Sequence, residues 1–212
     1  MTPPPIQVLV ADDHPMIRTG LAATIDAEPD MCVVAAASNG HEAAALFREH
    51  HPDIALIDLR MPVMDGVQAI RTILEFAPSA KIIVLSTYQG DEDIFRSLKA
   101  GAKSYLLKDM LGQELIRAIR EVAAGGRPVP PTVGEKLAEH MLYTPLTPRE
   151  VDVLKLIARG MRNKEIAASL AITDQTAQGH VKSILEKFGV HDRTEAVAIA
   201  ARRGMIHFDE YP

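Results

Sequence analysis

A chain of 212 residues, 47% hydrophobic and 24% charged, has the composition of a soluble globular protein with room for one medium domain and a smaller one. No apolar run reaches the roughly 20 residues of a membrane span, the start MTPPPIQ lacks the basic and apolar regions of a secretory leader, and the single cysteine, Cys32, excludes an intramolecular disulfide; a cytoplasmic protein with no membrane partner is expected. The net charge of −5 is unevenly spread, net −5 over residues 1–128 and net +3 over residues 144–208, so the halves suit different partners, with nucleic acid a candidate for the second.

The first element is a strand, IQVLVA (6–11), followed at once by Asp12 and Asp13. A helical pattern at about 15–27 leads to a second strand, MCVVAAA (31–37), in which Cys32 is expected to be a buried, inert thiol. Helix 39–50 precedes strand DIALID (53–58), which ends in Asp58. Helix 66–76 precedes KIIVLS (81–86), which ends in Ser86. Helix 91–100 precedes KSYLL (103–107), which is followed by Lys108. The last helix, 111–124, carries an apolar stripe of Leu111, Leu115, Ala118, Ile119 and Val122. Five short apolar strands alternating with helices predict a (βα)5 doubly wound parallel sheet. Such sheets carry their sites at the carboxyl ends of the strands.

The Gly- and Pro-rich stretch AAGGRPVPPTVG (123–134) ends that region. Domains are therefore expected at 1–124 and 145–212, joined by a linker, 125–144, with a short helix at 133–141. The second domain opens on LTPREVDVLKLIARG: Thr147 is an N-cap, Pro148 occupies N1, Glu150 lies three residues after the cap and Gly160 closes the helix. Helices at about 163–170, 174–188 and 193–203 complete an all-α, four-helix module.

Asp12, Asp13, Asp58, Ser86 and Lys108 all fall at strand ends, which a parallel sheet gathers on one edge. Grouped carboxylates repel one another unless a hard cation lies between them, and an oxygen-only, open site favours Mg²⁺. A carboxylate beside Mg²⁺, with an ammonium and a hydroxyl nearby, suits phosphoryl transfer to Asp58. His14 reads as a helix-start residue. A Mg²⁺-dependent phosphohydrolase would need an acid/base carboxylate two residues after the nucleophile; position 60 is Arg, so a non-enzymatic acceptor is favoured.

ADDHP, DLRMPVMDG, VLSTY and GAKSYLLKD resemble the receiver domain of bacterial two-component response regulators over residues 6–124. The resemblance implies that Asp58 accepts a phosphoryl group from a partner histidine kinase, with Ser86 and Tyr105 as switch residues and Lys108 as the active-site lysine. It implies Mg²⁺ bound by Asp13, Asp58 and the Arg60 backbone carbonyl, with Asp12 acting mainly through water. Arg60 and Tyr88, two residues past the acceptor and the switch serine, are expected to shield the phosphate from water. Asp109 follows the lysine where many receivers have proline, so the bend there has no proline ring.

In the second domain, NKEIAASLAITDQTAQGHVKSILEKFGV reads as helix, tight turn, helix. Ala177, Val181, Ile184 and Phe188 space as one inward face, and Gln175, Gln178, Gly179 and Lys182 as the outward face, a helix that fits a DNA major groove. The segment 145–208 resembles the LuxR-type helix-turn-helix, and the two resemblances together identify a member of the NarL/FixJ subfamily of transcriptional response regulators. They imply promoter DNA as a partner, DNA contacts at Lys164, Thr176, Gln178, His180 and Lys182, and a homodimer at least when phosphorylated, paired through the Ala-rich last helix (Ala196, Ala198, Ala200, Ala201). TAQGH departs from the family pattern: Gln178 stands where lysine is usual, and Gly179 is a poor helix former in a helix interior.

Overall fold

The computed structural model describes residues 4–207 apart from 88 and 111, so Tyr88 and the Leu111 end of the apolar stripe lie outside the described residues. The chain divides into two compact units, residues 1–88 with 94–134, and residues 89–93 with 135–212.

The first unit is built on β1 (Ile6–Ala11), β2 (Met31–Ala37), β3 (Ile54–Asp58), β4 (Ile82–Ser86) and β5 (Ser104–Leu107). All pair in parallel, in the order β2-β1-β3-β4-β5. Between them run α1 (Pro15–Asp26), α2 (Gly40–His50), α3 (Gly66–Phe76) and α4 (Asp91–Ala100), and α5 (Gln113–Ala123) follows β5. The apolar strands meet the burial their sequence demands: β3 is buried throughout, as are Val8, Leu9 and Val10 of β1. Leu115, Ile116, Ala118, Ile119 and Val122 of α5 pack into the same core as Val8, Val10, Leu56 and Leu85, confirming the stripe from Leu115 onward.

Strand β2 departs from the expectation of a fully buried strand. It is one of the sheet's two edges, paired only with β1, and its middle residues are half-buried or, at Ala36, exposed. Cys32 among them is half-buried rather than buried; edge position alone does not set this, since β5, the other edge, is buried throughout. After β5 the chain makes a single 3-10 turn, Lys108–Met110, which supplies the bend that a proline does not.

Helix α6 (Pro131–Met141) begins two residues before the short helix expected from sequence. The second unit then contains α7 (Pro148–Ala158), α8 (Asn163–Ser169), α9 (Asp174–Phe188) and α10 (Arg193–Arg202). The Thr147–Glu150 capping box forms on α7. Val153, Leu154, Ile157, Ile166, Ala177, Val181, Ile184, Ala196 and Ala200 make one core. The turn between α8 and α9 is short because Ala171 adopts a left-handed φ of 52° and Thr173 caps α9, its side chain accepting from the Thr176 N–H.

Candidate functional sites: an acidic sheet edge and a helix-turn-helix

Strand β1 lies inside the sheet with β2 on one side and β3 on the other, so the connections diverge there and leave a crevice at the carboxyl edge. Register fills it. Ala11 lies opposite Ile57, which makes Asp12 and Asp58 neighbours one step further along. Asp58 lies opposite Leu85 and Ser86 opposite Leu107, so Asp58, Ser86 and Lys108 follow one another across three adjacent strands.

Lys108 Nζ sits 2.8 Å from Asp12 Oδ2 and 2.9 Å from Asp58 Oδ2. Asp12, Asp58 and Ser86 are buried, and Asp13 is half-buried. The loop after β1 is held by local polar contacts: the His14 N–H donates to Asp12 Oδ1 (2.9 Å) and Arg18 Nη1 donates to the Asp12 carbonyl (2.6 Å). Burial pushes the Asp58 carboxyl up to about 6, with the neighbouring Asp12 adding to the rise and the Lys108 ammonium working against it. Burial draws the lysine down, but its hydrogen bonds and charge contacts with Asp12 and Asp58 outweigh this and hold it above the ordinary lysine value.

Ligand atoms of Asp12, Asp13, His14 and Asp58 all lie within 4.8 Å of one another. Three carboxylates against one lysine ammonium leave an excess of negative charge, and a donor set dominated by oxygen fits a metal cation. His14 begins α1 as expected, at the N-cap position without a side-chain capping bond. Its ring also joins the acidic cluster, with Nδ1 2.8 Å from Asp13 Oδ1, a proximity the reading as a helix start did not foresee. Tyr105 is fully buried in β5, and Arg60, two residues past Asp58, is half-buried.

Two backbone features of the β3–α3 loop escaped the sequence reading. A Cβ on Gly66 would lie 2.2 Å from the Asp58 carbonyl oxygen, so the glycine of the MDG run lets α3 start directly against the strand end. The signal was present as the Asp-Gly pair; its partner was not. Val63 has φ 69°, and the Met64 N–H donates to the Pro62 carbonyl at 2.7 Å, a γ-turn centred on a β-branched residue that rarely adopts this conformation.

In the second unit, α9 presents the outward face expected of it: Gln175, Thr176, Gln178, Gly179 and Lys182 are exposed, and His180 is half-buried. Lys164 is exposed in the first turn of α8. The Thr176 hydroxyl lies 2.8 Å from that of Thr173, so it takes part in the cap. Of the inward face, Ala177, Val181 and Ile184 are buried and Phe188 is half-buried. Glu150 joins α7 to α9: it accepts from the Thr147 N–H, the Ser183 hydroxyl (2.7 Å) and Lys187 Nζ (2.7 Å). Burial works against its charge, yet those bonds win and hold the carboxyl down at about 2. The alanines of α10 are not all available to a second copy, because Ala196 and Ala200 are consumed in the unit's own core.

Among the described residues no helix is long and apolar enough to cross a membrane. The response regulator receiver domain family matches residues 8–120, and the bacterial regulatory proteins of the luxR family match residues 144–200. The chain is 41% identical over 201 residues to the nitrate/nitrite response regulator protein NarL of Escherichia coli strain K12, covering 91% of this chain and 93% of that one. It is 38% identical over 206 residues to the response regulator protein VraR of Staphylococcus aureus, covering 95% and 99%. Among solved structures, RcsB from Salmonella enterica serovar Typhimurium, bound to a promoter in the presence of the phosphomimetic BeF3−, superimposes with a TM-score of 0.70 at 25% identity, covering 93% of this chain and 98% of that one. With an acidic sheet edge in one unit and a helix-turn-helix in the other, the chain belongs to the DNA-binding two-component response regulators of the NarL/FixJ subfamily.

Proposed function

We propose that Asp58 accepts a phosphoryl group from the phosphohistidine of a cognate histidine kinase, and that this modification switches homodimerisation and promoter binding. The observation that carries this reading is the buried Asp58 carboxylate, 2.9 Å from Lys108 Nζ and clustered with Asp12 and Asp13. An Asp58 carboxylate oxygen attacks phosphorus; the O–P bond forms, the P–N bond breaks, and the departing imidazole takes a proton from solvent.

Asp12, Asp13, Asp58 and the Arg60 backbone carbonyl are the groups assigned to Mg²⁺, with Asp12 acting mainly through water. When bound, the ion offsets charge on the transferred group. Lys108 turns its ammonium from the carboxylates to a phosphoryl oxygen, and the Ser86 hydroxyl donates to another. Tyr105 is assigned as the aromatic that reports the change. Arg60 stands where a hydrolytic enzyme would place its acid/base carboxylate, which supports a regulator over a phosphohydrolase.

The assigned division is a receiver domain at 1–124, a linker at 125–144 and a DNA-binding domain at 145–212. Lys164, Thr176, Gln178, His180 and Lys182 are assigned to double-stranded promoter DNA, supported by the exposure of α9's outer face. RcsB, solved on promoter DNA with a phosphomimetic, supports the coupling of phosphorylation to DNA. Pairing through α10 would use Ala198, which is exposed, rather than the whole alanine set.

The test is treatment with acetyl phosphate and Mg²⁺ followed by intact-mass measurement of the parent and Asp58→Asn. One phosphoryl adduct on the parent alone is expected. Turnover of the donor without an adduct would favour the hydrolase, and equal labelling of both proteins would remove Asp58 from the acceptor role.

A further inference from the structure

Glycine is the weakest helix former after proline, so one in the middle of α9 (Asp174–Phe188) needs a reason. The fold supplies none. Gly179 has no left-handed backbone, and a Cβ built on it would meet nothing within 4 Å. The helix runs through it without interruption. Open space alone assigns no role, since Gly20 and Gly134 are also helical and also unobstructed. What distinguishes Gly179 is its place in a surface groove of about 490 Å³ along α9, lined by Asn163, Gln175, Gln178, Val181, Lys182 and Leu185 as well.

That groove has a definite chemistry. Gln175, Gln178, Gly179 and Lys182 follow the i, i+3, i+4, i+7 spacing of one helical face. Val181 and Leu185 give it an apolar side, Gln175 and Gln178 give it exposed amides, and Lys182 gives it a cation. The Lys182 ammonium is 3.7 Å from Glu186 with both side chains largely exposed, a contact too weak to keep it from turning to a phosphate. In a major groove, adenine offers N7 and N6 to a glutamine amide, and its partner thymine offers the C5-methyl, the one apolar group projecting there. An A·T pair thus presents an amide partner and a methyl group side by side. Gln178 and Gly179 present an amide and a bare backbone side by side.

We propose that Gly179 is a specificity-determining residue: the notch it leaves in α9 admits a thymine methyl group while Gln178 reads an adjacent adenine, so the protein selects A·T pairs at this position of its site. The proposal rests on the assignment of the α9 outer face to DNA. It accounts for both departures of TAQGH together, because a lysine at 178 would favour guanine and any side chain at 179 would fill the notch.

The experiment uses the full-length protein, with and without acetyl phosphate and Mg²⁺, to select duplexes from a library of random double-stranded DNA. The same selection is run on Gly179→Ala. The alanine variant is expected to melt higher, by a few degrees, yet to bind the parent's selected duplex at least tenfold more weakly. Replacing the contacted thymine by uracil should weaken the parent about fourfold, the transfer free energy of one methyl-sized group, and leave the variant unchanged. An alanine variant that melts lower would overturn the proposal, because the glycine would then serve the fold. Equal binding of the selected duplex by both proteins, or no uracil effect on the parent, would overturn the notch while leaving DNA binding intact. A parent that enriches no sequence in either state would overturn both.

Discussion

Lys108 Nζ lies 2.9 Å from Asp58 Oδ2 and, from the other side, 2.8 Å from Asp12 Oδ2; one ammonium bridges two buried carboxylates on neighbouring strands. Burial still dominates at Asp58, whose carboxyl is pushed up to about 6. A raised folded-state value means that ionisation disfavours the fold. The contribution of Asp58 to stability is fully present below its unfolded value near 4 and is lost as pH rises through about 6. Asp58→Asn should therefore match the parent near pH 4 and become more stable above pH 6, by roughly 3 kcal/mol at pH 7 without divalent ions. Millimolar Mg²⁺ should raise the melting temperature of the parent and leave the variant nearly unmoved. Thermal melts across pH, with and without Mg²⁺, check this. An Asp58→Asn protein less stable than the parent at pH 7 would mean that Lys108 outweighs burial.

Gly66 is the fold's concession to Asp58. With a Cβ due 2.2 Å from the Asp58 carbonyl, Gly66→Ala must displace either α3 or the strand end. A loss on the order of 3 kcal/mol and slower labelling of Asp58 by acetyl phosphate are expected. Denaturant unfolding alongside intact mass would record both, and a variant with parental stability would show that the loop adjusts freely.

The γ-turn at Val63 makes the opposite prediction. A β-branched residue at φ 69°, exposed and packed against little, should give way to Asn with a gain of about 1 kcal/mol. The comparison of unfolding midpoints decides it; a destabilised Val63→Asn would show that the side chain has a partner worth more than the strain.

Glu150 links the capping of α7 to the position of α9. Its carboxyl is held down at about 2 against an ordinary 4.5, so its stabilisation is present above the unfolded value and is lost as pH falls from about 4.5 towards 2. Glu150→Gln should cost about 2–3 kcal/mol at pH 7, and the difference from the parent should vanish at the acid end. A constant difference across that window would assign the effect to packing alone.

Much of this site was legible because each of its side chains follows or ends an apolar run, and a parallel sheet brings such ends together whatever their separation in sequence. Strand limits came within one residue for the same reason: DIALID and KIIVLS each lose only their leading polar residue in the structure. What the pattern could not carry was strand order. Cys32 sits in as apolar a run as Ile83 does, yet it is half-buried on an edge strand while Ile83 is buried between two neighbouring strands. The alanines of α10 were misjudged for a related reason. A small residue marks a close approach without saying to what, and for Ala196 and Ala200 the neighbour is their own core. Gly66 and His14 were visible as residues but not as relationships, since each matters through an atom that only the folded loop brings near.

The central claim is that phosphorylation of Asp58 controls DNA binding by the second unit. Its most direct test is titration of a duplex selected by the phosphodonor-treated parent, using parent and Asp58→Asn, each with and without acetyl phosphate and Mg²⁺. The parent should bind more tightly after treatment, as a dimer on two half-sites about one helical turn apart, and the variant should not respond. Equal affinity of the parent before and after stoichiometric labelling, or an equal response from Asp58→Asn, would contradict the account.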